Sequence, residues 1–188
     1  MFTGIVQAVG NIVRLQPLEV DCGALDLSDV AIGDSICVQG VCLTVTALTG
    51  RGFTADVSAE TLRVSAGLDR QGAVNLEKSL ALHDRLGGHL VAGHVDGVGE
   101  VTRFENGLLE VRAPEELARY IARKGSICVD GVSLTVNRVQ GSVFEAFLIP
   151  HTLQVTTLSR LRRGARVNLE VDLIARYVER LAKEERTS

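Results

Sequence analysis

The feature that most constrains the fold is an internal repeat. Residues 35–45 read SICVQGVCLTV and residues 126–136 read SICVDGVSLTV, so the two segments differ only at Gln39/Asp130 and Cys42/Ser133. The similarity extends outward to three further pairs of segments: 3–10 with 92–99, 53–62 with 144–153, and 74–77 with 167–170. The offset grows along the chain, so the insertions fall between matched segments, as expected when loops absorb changes in length. The repeat therefore predicts two tandem copies of one supersecondary unit.

Each copy is dominated by strand signals. Short β-branched runs such as 36–38, 43–45 and 74–76 are separated by glycines, and several such strands predict a small closed barrel or a sandwich. Short helices are predicted at 61–69 and 152–161. Another is expected to begin at Pro114, where proline precedes two acids in a first turn.

The end of the chain has a different pattern. Leu173, Ile174, Tyr177, Val178 and Leu181 are spaced to form one apolar stripe on a helix that runs from Leu173 to about residue 185. The stripe either packs on the adjacent barrel or joins copies of the chain, and the spacing leaves both alternatives open.

Composition excludes several classes of function. A net charge of −3 offers no basic surface for nucleic acid. No run approaches the roughly 18 apolar residues that a membrane span needs, and no basic-then-apolar leader is recognisable, which predicts a cytoplasmic protein without membrane contact. The four cysteines form no CxxC pair and are expected to be reduced.

The repeated strand segment presents two different faces. Alternation places Cys42 and Thr44 on one face and Leu43 on the other, and Ser133 and Thr135 share a face in the second copy. These polar groups either satisfy neighbouring strands or line a pocket in each copy, and their retention in both copies favours the pockets. The remaining matched cysteines, Cys37 and Cys128, are expected to be buried packing residues.

Two positions carry a histidine only in the second copy, since His94 replaces Ile5 and His151 replaces Glu60. A metal site is not expected, because His89 and His94 are five residues apart with no cysteine near them in sequence.

Three motifs together resemble the riboflavin synthase family over essentially the whole chain. They are MFTGIVQ at 1–7, the repeated G-x-[C/S]-L-T-V, and GGHLVAGHVDGVG at 87–99. The resemblance implies an all-β fold of two tandem six-stranded antiparallel Greek-key barrels, at 1–87 and 88–172. It further implies an oligomerisation helix at 173–188 through which three chains assemble.

The resemblance also implies a reaction. Two molecules of 6,7-dimethyl-8-ribityllumazine dismutate, without a cofactor, into riboflavin and 5-amino-6-(ribitylamino)uracil, between the first barrel of one subunit and the second barrel of its neighbour. Lumazine synthase is a candidate partner. The alternative is a non-catalytic lumazine- or flavin-binding antenna protein, whose relatives tend to lose motif residues in one barrel. Both copies are intact here, which favours the enzyme.

The family motifs imply two substrate pockets. The first would use Gly4, Ile5, Val6, Cys42, Leu43, Thr44, Asp56, Val57, Ser58, Ala59, Glu60 and Thr61. The second would use Gly93, His94, Val95, Lys124, Ser133, Leu134, Thr135, Phe147, Leu148, Ile149, Pro150, His151 and Thr152.

By the same resemblance, the expected catalytic residues are Phe2, Cys42 and His94, together with Ser133 as the counterpart of Cys42. Cys42, Ser133 or a held water is the expected nucleophile, and His94 is expected to assist proton movement. Because the sequence shows no cation near Cys42 that would lower the pKa of its thiol, binding or orientation is favoured over a covalent role for Cys42. One departure is Gln39-Gly40, where the family usually has Asn-Gly, and we expect it to alter ligand contacts in the first barrel.

Overall fold

The structure, a computed structural model, describes residues 1–184, with side chains to residue 182. The first half forms one sheet whose strands, in chain order, are β1 (Ala8–Leu15), β2 (Leu18–Asp21), β3 (Ser35–Val38), β4 (Val41–Thr44), β5 (Ala47–Leu48), β6 (Gly52–Ala55) and β7 (Gly72–Lys78). The second half contains β8 (Gly97–Glu105), β9 (Leu108–Arg112), β10 (Ser126–Val129), β11 (Val132–Gln140), β12 (Val143–Phe147) and β13 (Arg166–Val171).

Both halves have the same antiparallel topology. The second is a closed barrel with the strand order β10-β11-β12-β9-β8-β13, and the first is a sheet with the order β4-β3-β7-β1-β2-β6-β5. Its two edge strands, β4 and β5, are successive pieces of the run that forms the single strand β11 in the second half. The Thr46 amide donates to the Thr54 carbonyl at 2.8 Å and keeps this run beside β6. The predicted all-β, duplicated Greek-key fold is confirmed.

The predicted short helices lie slightly earlier than expected. They are α1 (Ala59–Val64) and α2 (Pro150–Val155), with 3-10 turns at Glu115–Tyr120 and Thr157–Arg160. Ser58 caps α1 by accepting a hydrogen bond from the Thr61 amide, and Pro150 begins α2, where its missing amide proton costs nothing.

Each half has its own core, filled by matched residues. Phe53, Ile36 and Leu76 are fully buried in the first core, and Phe144, Ile127 and Leu169 are fully buried in the second. Burying a side chain of this size stabilises the fold by about 1.5–3 kcal/mol relative to leaving it exposed. The predicted alternation is confirmed as well, since Leu43 and Leu134 point inward while Thr44 and Thr135 are exposed.

A pair of buried asparagines joins the halves along a seam. The Asn75 amide group donates to the Asp130 carbonyl at 2.8 Å and its oxygen accepts from the Thr157 amide at 2.8 Å. Its repeat counterpart Asn168 donates to the Gln39 carbonyl, also at 2.8 Å. Both asparagines are 2% exposed, so these bonds have no competition from water.

The contacts along the seam also explain the role of Gln39. Its backbone has a φ of +52° in a tight turn before Gly40, and its side-chain oxygen accepts from the backbone amide of Asn75, in the same half, at 2.9 Å. Its Nε2 atom donates to the Thr157 hydroxyl of the second half at 3.5 Å, so the departure from the family's usual Asn-Gly acts on the contact between the halves. Its effect on ligand contacts in the first barrel stays a prediction.

The terminal helix α3 (Leu173–Glu184) turns its apolar stripe away from the barrel. Ile174, Tyr177, Val178 and Leu181 are each about 60% exposed, and only Leu173, the first residue of the predicted stripe, is half-buried. The opposite side of the helix makes the contacts with the second half: Arg176 pairs with Asp96, and Glu179 accepts from Arg119 and from the Tyr120 hydroxyl. Of the two alternatives for the stripe, packing on the chain's own barrel is therefore wrong. Residues 185–188 of the predicted helical segment lie outside the described residues.

Within residues 1–184, no helix is long and apolar enough to cross a membrane.

Replacing Asn168 tests the seam. Asn168→Ala removes hydrogen bonds to the Ala66 amide and carbonyl as well as to Gln39, and it leaves these buried groups unpaired. Because an unsatisfied buried group costs about 1–3 kcal/mol, we expect the free energy of unfolding in urea to fall by about 2–4 kcal/mol. The exposed Asn137→Ala serves as the control and should change it by less than about 0.5 kcal/mol. Equal urea midpoints for the two variants would contradict the role of the seam.

Candidate functional site

Two crossing segments lie between the halves and build the site. The first residues of the chain run antiparallel to residues 89–94, and Phe2 and Val91 exchange backbone hydrogen bonds of 2.7 and 3.1 Å. Both side chains are fully buried. Each half thus contributes one leading segment to a shared central layer.

A buried glutamate holds each leading segment. Glu77 accepts from the Thr3 amide and hydroxyl, both at 2.7 Å, and from the Gly4 amide at 3.0 Å. Its counterpart Glu170 accepts from three successive amides of residues 92–94 at 2.6–3.0 Å. Burial raises the pKa of both carboxyls and these hydrogen bonds oppose the rise. The carboxylates therefore fix the backbone of the segments that carry the predicted ligand contacts.

Each leading segment then pairs with the repeated strand of the other half. The Ser133 amide donates to the Gly4 carbonyl at 2.8 Å, and the Cys42 amide donates to the Gly93 carbonyl at 2.8 Å. Gly4 has a φ of +75° and Gly93 a φ of +78°. A Cβ on either glycine would lie 2.6 Å from the Cβ of its partner, so only glycine allows this approach.

This pairing corrects the grouping expected from the sequence. Gly4 was expected beside Cys42 and Gly93 beside Ser133, but each lies against the other residue. The next inward-facing side chain of each leading segment shows the same crossing, since Val6 packs against the second core and Val95 against the first. The repeat alignment identified the matched residues but could not show that the leading segments cross the seam.

Ser133 has His89 as a hydrogen-bonding partner, a contact that the sequence did not predict. The His89 Nδ1 lies 2.7 Å from the Ser133 Oγ, and the ring is 8% exposed. Burial lowers the pKa of His89, and the carboxylate of Asp172 opposes this shift. The Nε2 atom is buried and makes no hydrogen bond with any described residue. Burial therefore favours the neutral form of His89, in which the ring can accept a proton.

The glycines before His89 permit this contact. A Cβ on Gly88 would lie 2.1 Å from the Thr3 carbonyl oxygen, and the His89 amide donates to the same oxygen at 3.1 Å. The Gly-Gly-His sequence was the available signal, because paired glycines mark a close backbone approach. From the spacing of the histidines, His89 was assessed only as a metal ligand.

Cys42 has a different environment. Its half-buried thiol lies against a small cluster of Phe2, Cys37, Val91 and Cys128, and within residues 1–184 it makes no hydrogen bond. The predicted burial of Cys37 and Cys128 is confirmed, and burial raises the pKa of both thiols. Phe2 is fully buried in this cluster, so its ring packs beneath Cys42 in the interior and has no exposed surface that a ligand could contact.

The other residues expected in the first pocket divide between surface and core. Leu43 and Val57 face the first core. The groups left open around the start of α1 are Thr44, Asp56, Ser58, Ala59, Glu60 and the half-buried Thr61. Glu60 forms an ion pair with Arg63 at 2.6 Å. The rim of this pocket is polar.

The second pocket has a more apolar rim. Ile5, Phe147 and Ile149 are each about half exposed. Leu134 and Leu148 face the second core, and the groups open to solvent are Lys124, Thr135, Pro150 and His151, with Thr152 half-buried. The exposed His94 follows Gly93, so it lies with Cys42 in the other pocket and not in this one, where the sequence placed it. Exposed apolar side chains around a polar pair are typical of a surface that another molecule covers.

Together these groups form two related half-sites. One presents a thiol and the other a serine hydroxyl bound to a neutral histidine, each beside a backbone segment fixed by a buried carboxylate. The second half-site can carry out nucleophilic or base chemistry. The first has no base bound to its thiol and is better suited to binding and orientation.

Comparison with known proteins identifies what this arrangement is similar to. The family described as "Lumazine binding domain" matches residues 3–79 and again residues 92–172. The riboflavin synthase of Photobacterium phosphoreum is 47% identical over 193 residues, which cover 96% of this chain and 88% of that protein. The riboflavin synthase of Bacillus subtilis is 40% identical over 192 residues, covering 96% and 89%.

Solved structures agree on the fold. The crystal structure of LumP complexed with 6,7-dimethyl-8-(1'-D-ribityl) lumazine has a TM-score of 0.77 at 23% identity, covering 91% of this chain and 99% of LumP. LumP complexed with riboflavin also gives a TM-score of 0.77, at 24% identity and the same coverage. At these identities the likeness shows a shared fold.

Proposed function

This chain belongs to the riboflavin synthase family and is an enzyme that makes riboflavin, and we propose that its two composite half-sites each hold one of the two lumazine molecules. The reaction consumes two identical substrates, and a duplicated fold supplies two similar pockets. The crossed segments support this assignment, because each pocket contains backbone from both halves and the two are therefore fixed relative to each other.

Ser133 and His89 divide the chemistry of the second half-site. One lumazine must lose a proton from its C7 methyl group, and the other must accept a nucleophile at C7. The Ser133 Oγ forms the bond to C7 of the accepting lumazine, its proton passes to the His89 Nδ1, and the electron pair of the attacked bond moves onto the ring. The observation that carries this step is the 2.7 Å contact between His89 and Ser133.

The other expected catalytic residues take lesser roles. Cys42 orients its lumazine, since its thiol has no bound base within the described chain. Phe2 is a positioning residue that acts through Cys42. His94 is exposed at the edge of its segment, and its assistance in moving the methyl proton stays a prediction.

Two substitutions test the Ser133–His89 pair. We expect Ser133→Ala and His89→Asn to reduce kcat by about 10²–10⁴-fold, the range for positioned acid–base groups. Lumazine affinity, measured by calorimetry, should stay within a few-fold. Because a protonated imidazole cannot accept a proton, kcat of the parent should fall as the pH drops through the lowered pKa of His89, below 6.5. This acid limb should be absent in His89→Asn.

Cys42→Ala is the matched control for that experiment. It removes the counterpart of Ser133 in a pocket without a bound base, so the loss of kcat should be clearly smaller. A larger loss for Cys42→Ala than for Ser133→Ala, or an unchanged acid limb in His89→Asn, would contradict the assignment.

We also propose that the chain works as a homotrimer joined through α3. The apolar stripe of Ile174, Tyr177, Val178 and Leu181 is exposed, while the polar side of the helix is fixed to its own barrel. A helix held in this way presents its stripe to a neighbouring copy. The apolar rim of the second half-site supports a site completed by the first half of an adjacent subunit. Holding the two lumazines together in this way can contribute about 7–11 kcal/mol toward the barrier.

A charge on the stripe tests the assembly. Leu181→Asp places a carboxylate on the apolar face, and we expect the mass from light scattering to fall from three times the chain mass of 20.1 kDa to the chain mass, with most turnover lost. Leu15→Asp is the control, because Leu15 is also an exposed leucine but lies on the β1–β2 hairpin. An intact, active trimer in Leu181→Asp would rule out this role for the helix.

Lumazine synthase as a partner and the cytoplasm as the location stay predictions.

A further inference from the structure

A cavity separate from both half-sites lies on the seam between the halves. Its volume is about 400 Å³, and it lies where the segment after α1, residues 66–73, meets the segment after α2, residues 157–166. Its floor is formed by the side chains of the two turn residues, Gln39 and Asp130. None of the residues expected to bind lumazine lines it. We call it the seam cavity.

Three arginines line the seam cavity: Arg70 from the first half, and Arg160 and Arg166 from the second. Within residues 1–184, none of the three forms an ion pair or a side-chain hydrogen bond. Some other arginines are paired, as Arg14 is with Glu19 at 2.9 Å, whereas others among the described residues, such as Arg112, are unpaired like these three. The cavity therefore concentrates guanidinium donors that no side chain satisfies.

Two acids in the cavity only partly offset this charge. Asp69 is exposed at the rim, whereas Asp130 is 3% exposed on the floor and accepts a hydrogen bond from the Asn168 amide at 2.8 Å. Burial raises the pKa of Asp130 to about 7, and hydrogen bonds from Asn168 and Gln39, followed by the nearby Arg70, oppose the rise. The lining has three arginines and two acids, so positive charge is in excess whether or not Asp130 is protonated.

We propose that the seam cavity binds a compact phosphate anion, either free or as the terminal group of a small organic phosphate. Guanidinium groups match phosphate oxygens in geometry and charge, and three exposed arginines from both halves line this one cavity. The Thr157 hydroxyl, which lies in the lining, adds a neutral donor. The volume exceeds what inorganic phosphate needs and lies in the range of small-molecule pockets.

Binding has a mechanical consequence. The arginines belong to the segments that follow Ala66 and Thr157, and these are the residues whose amides the seam asparagines hold. An anion that bridges Arg70 to Arg160 and Arg166 therefore links the halves beside their hydrogen-bonded contact. A ligand that binds only the folded state raises stability by mass action.

The test is a titration of the assembled protein with inorganic phosphate, pyrophosphate and glycerol phosphate, each against sodium chloride at matched ionic strength. We expect saturable heats by calorimetry and a rise in Tm with the phosphates but not with chloride. Arg70→Gln/Arg160→Gln should weaken binding at least tenfold, whereas Arg112→Gln, an exposed arginine outside the cavity, should not. Asp130→Asn should tighten binding several-fold, because it removes the opposing charge and keeps an acceptor for Asn168.

Comparing the ligands distinguishes a free phosphate ion from an organic phosphate as the occupant of the cavity. Tighter binding of glycerol phosphate assigns the cavity to an organic phosphate, and tighter binding of inorganic phosphate assigns it to the free ion. No saturable binding, or equal binding by the double arginine variant and Arg112→Gln, would overturn the proposal. Riboflavin formation by the arginine variants should be unchanged without added phosphate, so the outcome does not depend on the Ser133–His89 mechanism.

Discussion

Two backbone hydrogen bonds across the seam determine the geometry of the site. The Ser133 amide binds the Gly4 carbonyl, and the Cys42 amide binds the Gly93 carbonyl, each at 2.8 Å. They attach the strand with the reactive side chain in one half to the leading segment of the other half. Glu77 and Glu170 hold those segments from the opposite side. Because each pocket contains parts of both halves, neither half alone would reproduce the site.

In the function proposed here, duplication supplies two pockets, and the differences between the copies give those pockets different chemistry. Ser133 has a histidine within hydrogen-bonding distance, whereas its counterpart Cys42 lies on buried apolar side chains. Identical substrates that must meet different fates need such an asymmetry. The mismatch of Gln39 and Asp130 has another location and another consequence, since both face the seam and the cavity between the halves.

The sequence predicted the fold well, because the repeat and the alternation of residues such as Leu43 and Thr44 depend on local pattern. It also singled out Cys42 and Ser133, because a small polar group stands at this position in both copies, and their role in the reaction stays a proposal. It could not predict that the leading segments cross, since the crossing depends on how two folded units pack. It missed His89 for the same reason, because the contact with Ser133 joins residues 44 positions apart. The direction of the α3 stripe likewise required the position of Arg176 against Asp96.

The central claim is that the two half-sites hold two identical molecules that react with each other. The most direct test is to mix the purified protein with 6,7-dimethyl-8-ribityllumazine alone and to measure the lumazine consumed and the riboflavin formed. We expect one riboflavin for every two lumazines without any added cofactor, together with an equal amount of 5-amino-6-(ribitylamino)uracil. Tight binding of lumazine without turnover, as in an antenna protein, or riboflavin formed in a one-to-one ratio would contradict the claim.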